Sequence, residues 1–145
     1  MYKFDMFRRK IKVKKGSAFG YILAEAAYKS GKDWLERVKQ IIYDNYLYIK
    51  EQLGSNTDLI ISPMQGTFLC WISFENYTEI SDFKSFIIND CKIAVEFGEN
   101  YGGSEYSKYI RVNIATQISH IKKFVEQVIS ALRNITHDKH DDNIG

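Results

Sequence analysis

Proline is nearly absent from this sequence: Pro63 stands alone in 145 residues. Cysteine is also scarce. Cys70 and Cys91 lie in apolar neighbourhoods without CxxC spacing, which argues against a disulfide framework or a thiolate metal site. They read as buried free thiols in a reducing, cytoplasmic compartment. Two of the three histidines, His137 and His140, sit with Asp138, Asp141 and Asp142 in a polar tail that offers no shaped site, so no metal is expected. No apolar run approaches the roughly 20 residues needed to span a bilayer. The basic N-terminus is not followed by the apolar stretch and small-residue cleavage site of a signal peptide. Internal repeats and low-complexity segments are missing as well.

What remains is ordinary for one soluble globular domain, with 45% hydrophobic and 26% charged residues, ten Tyr and nine Phe. A chain of this length buries one core, not two. Its charge is unevenly spread. Lys3, Arg8, Arg9, Lys10, Lys12, Lys14 and Lys15 face only Asp5 in the first fifteen residues, a local charge of +6, whereas the remainder is net acidic. Residues 1–16 therefore read as a basic leader distinct from a body over 17–135, with a polar, frayed tail over 136–145. Such a leader is either plainly solvated, or an arm for nucleic acid or an anionic surface. The acidic body, whose aromatics fall in core-like stripes, disfavours nucleic acid.

The body has a regular pattern. Phe19, Ile22, Leu23, Ala26 and Ala27 recur at helical spacing up to Gly31. Asp33 and Glu36 form a capping-box pattern ahead of a long helix over 34–53, with Leu35, Val38, Ile42, Tyr46, Ile49 and Leu53 on one stripe and Gly54 as its terminator. Strands are expected over 59–62 and 67–74 around a turn at Pro63–Gly66, then a short helix over 82–90 with Phe83, Phe86 and Ile87 inward. Strands over 93–97 and 109–115 flank a glycine loop, Gly98–Gly103. A last helix begins at Ser119 as N-cap and carries Ile121, Phe124, Val125, Val128, Ile129 and Leu132 on its apolar face. Trp34 and Trp71 read as core anchors. The order predicts an α+β fold, an antiparallel or mixed sheet with helices packed on one face. In the last strand, Ile110, Val112 and Ile114 point one way and Tyr109, Arg111 and Asn113 the other.

Three blocks of the body also resemble a known family. AYKSGKDWLERVKQIIYDNYLYIKEQL, PMQGTFLCWISF and KIAVEFGENYGGSEYSKYIRVNIAT are similar, in order and with plausible gaps, to the C-terminal small domain of pyridoxal-phosphate (PLP) enzymes of the class I/II aminotransferase fold (fold type I). The cystathionine β-lyase or C–S lyase branch is the nearest. The likeness covers residues 17–133. It implies a two-domain, homodimeric enzyme acting on a sulfur amino acid by α,β-elimination, or by transamination. The large domain of such an enzyme holds the cofactor, and the small domain supplies an arginine for the substrate carboxylate. The matching position is Arg111; Asn113, on the same face, reads either as a support for it or as purely structural. A guanidinium offers paired N–H donors that fit both carboxylate oxygens. Spacing alone would leave Arg111 a surface arginine paired with a local acid.

Other parts of the pattern are missing. The family's S..K and G.R.G segments have no counterpart, so neither Lys14 nor Lys15 reads as a Schiff-base lysine. The Gly98–Gly103 loop lacks the GxxxxGK[ST] phosphate pattern and leads toward a strand. Gln117 and Ile118 depart from a proline and a basic position of the family. The expectation is a chain inactive by itself that binds no PLP alone. The alternative is a non-enzymatic module that senses an amino acid through Arg111 or binds anions through the basic arm.

Overall fold

The computed structural model describes Met6 and residues 17–141, and the side chains only as far as Ile135 beyond the core. The expectations for the rest of the leader and for the last residues of the tail lie outside the described residues. The chain divides into two compact units, Met1–Arg37 and Val38–Gly145.

In the first unit, α1 (Ala18–Ser30) starts at Ser17, whose hydroxyl accepts the Gly20 N–H, as an N-cap should. None of its residues is buried. Gly31 alone separates α1 from α2 (Lys32–Asn56). The Gly31 N–H donates to the Ala27 carbonyl, and its own carbonyl accepts from Leu35. The second helix therefore starts before Asp33, which lies inside the first turn as a favourable acidic residue rather than as a cap. Trp34 is 68% exposed, so it is not the core anchor its size suggested.

The second unit holds the core. Burial along α2 involves Asn45, Tyr46, Ile49 and Leu53. Gly54 does not end the helix. Asn56 bonds back to the Gln52 carbonyl and Thr57 bonds back to Leu53, which carries the turn past the glycine. Next come β1 (Ile60–Ile61) and β2 (Leu69–Ser73), both shorter than the apolar runs that contain them. Asp82 caps a short turn, α3 (Phe83–Ser85), which widens into a π-helical turn over Phe86–Asp90. Phe83, Phe86 and Ile87 are buried there, as their spacing predicted. The strand expected over 93–97 shrinks to β3 (Glu96–Phe97).

The glycine segment is more structured than a loop. One helical turn, α4 (Glu99–Gly102), and a 3-10 turn (Ser104–Tyr106) lead into β4 (Tyr109–Asn113). Gly103, at φ 86, supplies the left-handed residue between them. The last helix, α5 (Ile118–Asp141), starts one residue before Ser119. The His120 N–H donates to the Gln117 carbonyl, and the Thr116 hydroxyl lies 2.9 Å from His120 Nδ1. The helix start is thus fixed upstream of the serine. The backbone stays helical to Asp141 through much of the tail that was expected to fray.

The sheet is antiparallel throughout, in the order β1-β2-β4-β3. Cys70, Ile72, Ile110 and Val112 point into one core with Ile49 and Leu53 of α2 and Ile121, Val125, Val128 and Leu132 of α5. This is the expected α+β arrangement. Both cysteines are free and buried, and burial pushes each thiol up from 9.0 to about 12. No helix among the described residues is long and apolar enough to cross a membrane.

Candidate functional site

The face of the sheet opposite the core carries the chemistry. In the β2/β4 register Trp71 is the partner of Arg111, and in the β3/β4 register Glu96 is the partner of the same arginine. The period-two alternation that buries Ile110 and Val112 puts Tyr109, Arg111 and Asn113 on this outer side. Arg111 and Asn113 line one cleft of about 370 Å³ together with Glu96, Ala94, Val95 and Val112. The two residues singled out from sequence are thus brought together.

Their states differ. Asn113 Oδ1 accepts the Ala115 N–H at 2.9 Å, so half of its amide closes the turn after β4. Arg111 makes no ion pair among the described residues. Its guanidinium carbon lies 4.0 Å from the centroid of the Tyr101 ring, and one terminal nitrogen donates to the Tyr101 hydroxyl. That hydroxyl donates onward to Glu96 Oε2 at 3.1 Å. Arg111 Nε is buried and has no hydrogen-bond partner. Desolvation first, then the bond to Glu96, holds the Tyr101 phenol above its ordinary value, with Arg111 pulling the other way.

A second cleft, of about 460 Å³, is lined by Tyr101 together with Ser62, Trp71, Gly102, Glu105, Tyr106 and Tyr109. Trp71 is only half-buried and contacts three tyrosines edge-on, with centroids 5.8 Å from Tyr101, 6.2 Å from Tyr106 and 6.5 Å from Tyr109. It belongs to this outer cluster rather than to the core. Tyr109 and Ser73 both donate to Glu75 Oε2, and the bond to Glu75 is the main cause of the raised Tyr109 pKa.

Sequence reasoning missed Tyr101 and Glu96. Their approach to Arg111 depends on the turn built between Gly98 and Gly103, and no periodicity reports that turn. It missed Asn45 too. This residue is 1% exposed and donates from Nδ2 to the carbonyls of Ile114 and Thr116, both at 2.8 Å. A lone asparagine inside an apolar stripe was the available signal.

No family model matches the chain. It is 27% identical to protein MalY of Escherichia coli (strain K12) over 112 residues, which is 76% of this chain and 28% of that protein. It is 26% identical to cystathionine β-lyase of Corynebacterium glutamicum over 117 residues, 80% of this chain and 31% of that protein. The solved structure of cystalysin from Treponema denticola, which contains pyridoxal 5'-phosphate, superimposes with a TM-score of 0.75 at 26% identity over 82% of this chain and 30% of that one. The chain's fold is that of the C-terminal domain of fold type I pyridoxal-phosphate enzymes. The fold type I domain spans less than a third of the length of the curated relatives it matches, at 28% and 31%. Among the similar proteins are a cystathionine β-lyase and a β-cystathionase.

The clefts at Arg111 and at Trp71 are lined by no lysine. PLP needs a lysine for its aldehyde and a cradle for its phosphate. Lys84 pairs with Glu99, and Lys108 donates to the Tyr77 carbonyl at 2.7 Å. The single turn over Glu99–Gly102 carries an acid in its first turn, which opposes a phosphate there.

Proposed function

We propose that this chain is the substrate-carboxylate part of a PLP-dependent C–S lyase of the cystathionine β-lyase type. Its complete form is a homodimer acting on a sulfur amino acid, by α,β-elimination or by transamination. Arg111 grips the α-carboxylate, and Asn113 supports that grip with the part of its amide not used at Ala115. Bound PLP supplies the electron sink for such chemistry, and here it would be held by residues other than those described. The chain's own contribution is positioning. A fork of N–H donors on a rigid strand fixes the Cα of an amino acid relative to whatever reacts with it.

The observation that carries the reading is the state of Arg111. It projects from the middle of β4 into an open cleft, with no carboxylate partner among the described residues and with a buried, unbonded Nε. A structural surface arginine would be paired locally.

The experiment is a titration of the full chain with L-cystathionine, with and without Arg111→Lys and Arg111→Ala. The lysine variant keeps the charge but loses the fork, and binding is expected to weaken about tenfold or more in both variants. Equal binding by wild type and Arg111→Ala would remove the assignment. With PLP added, the chain alone is expected to release no pyruvate from L-cystathionine, and sustained release would overturn the inactivity.

A further inference from the structure

Tyr101 is not merely close to Arg111; it takes up one donor and one face of the guanidinium that a ligand would use. The ring covers one face of the guanidinium, the phenol oxygen accepts from a terminal nitrogen, and the phenol proton goes to Glu96. Glu96 faces Arg111 directly in the strand register, yet the two meet only through this hydroxyl. The result is an internal, neutral substitute for an ion pair. An oxygen already polarised by a carboxylate sits where a ligand carboxylate oxygen would accept the same N–H.

We infer that Tyr101 is a built-in competitor for Arg111, a residue that sets the affinity and selectivity of the carboxylate site because an anion that uses the terminal N–H held by its phenol must displace that phenol. The inference rests on reading Arg111 as a carboxylate site. Two arrangements could explain the contact, and the anchoring of Tyr101 decides between them. A residue that positions Arg111 should itself be held firmly. Tyr101 is 49% exposed and sits on a single helical turn flanked by Gly98, Gly102 and Gly103. Its side chain has one further neighbour of note, the edge of Trp71. Arg111, by contrast, lies in the middle of a strand paired on both sides. The mobile member of the pair is thus the tyrosine, and it can withdraw while the arginine stays. Tyr101 also lines the aromatic cleft around Trp71.

The test uses the full chain labelled with ¹⁵N. Sodium acetate is the carboxylate probe, sodium chloride is the ionic-strength control, and the Arg111 Nε–H resonance is the readout. Tyr101→Phe keeps the ring over the guanidinium but removes the oxygen, and Tyr101→Ala removes both. Acetate is expected to bind Tyr101→Phe about tenfold more tightly than wild type, the equivalent of one hydrogen bond to a charged group. Tyr101→Ala should bind at least as tightly. Unchanged or weaker binding in both variants, with the Arg111 resonance still responding to acetate, would overturn the competitor and leave the carboxylate site standing. A silent Arg111 resonance in wild type and variants alike would overturn the carboxylate reading itself, and the competitor with it. The amide spectrum of each variant shows that the fold is retained, because Tyr101 lies outside the buried core.

Discussion

The side-chain amide of Asn45 closes a contact across 69 residues, donating to the carbonyl of Ile114 at 2.8 Å while it also reaches Thr116. Two backbone acceptors just past β4 lie where no strand continues to satisfy them, and one buried side chain supplies both bonds. The path from the strand that carries Arg111 to the start of α5 is fixed by this residue.

Asn45→Ala would leave two carbonyls without partners. An orphaned buried acceptor costs about 1–3 kcal/mol, so a loss of about 2–4 kcal/mol is expected in urea unfolding. Asn56→Ala, which removes an exposed bond to the Gln52 carbonyl, is the matched control and should change stability by less than about 0.5 kcal/mol. A similar small loss for both would show that the Asn45 bonds are replaced by water.

Gly102 is required by its neighbour rather than by its own backbone. A Cβ there would fall inside the Tyr106 ring, which packs on Tyr109 at 5.3 Å and on Trp71. Gly102→Ala is therefore expected to expel Tyr106 and cost about 1–3 kcal/mol. In a Tyr106→Ala background the same substitution should cost nearly nothing. A double-mutant cycle measures the difference, and strictly additive losses would rule out the clash as the cause.

The buried thiols make stability fall in alkali. An unfolded thiol ionises from 9.0 upward, whereas Cys70 and Cys91 in the fold hold their protons to about 12. Across that window the folded state binds more protons than the unfolded one, so stability drops as pH rises. Each thiol contributes at most about 1.4 kcal/mol per pH unit. Cys91→Ala should give a shallower fall between pH 9 and 11 than wild type, whatever its stability at pH 7. At pH 8 neither thiol should react with an exposed-thiol reagent until urea is added. An identical slope with and without Cys91 would refute the assignment.

Much of this was legible in the residues. The alternation around Arg111 put that arginine outside because apolar neighbours at period two leave only one face for the core. The short helix with Phe83, Phe86 and Ile87 inward was legible for the same reason. Limits of elements were not. Gly54 and Ser119 look like a terminator and a cap, but side-chain and backbone bonds at Asn56, Thr57 and Gln117 override those local preferences. Trp34 failed as a core residue because size and helical position do not say which side of a helix meets the rest of the domain. Tyr101 was invisible as a partner of Arg111 for a different reason. A glycine-rich turn sets direction by dihedral angles, and the residue types tolerate many of them.

The outer strands have a consequence of their own. β1 and β3 lie at the two margins of the sheet and contain two residues each, while the five-residue strands β2 and β4 are enclosed between them. An approaching chain finds only a step or two of free backbone on either side, too little to template a further strand. Stacking of copies into an extended ribbon is thereby blocked at both margins. Among the described residues, the side chains on the faces of the sheet therefore offer a neighbour more to recognise than the short margins do.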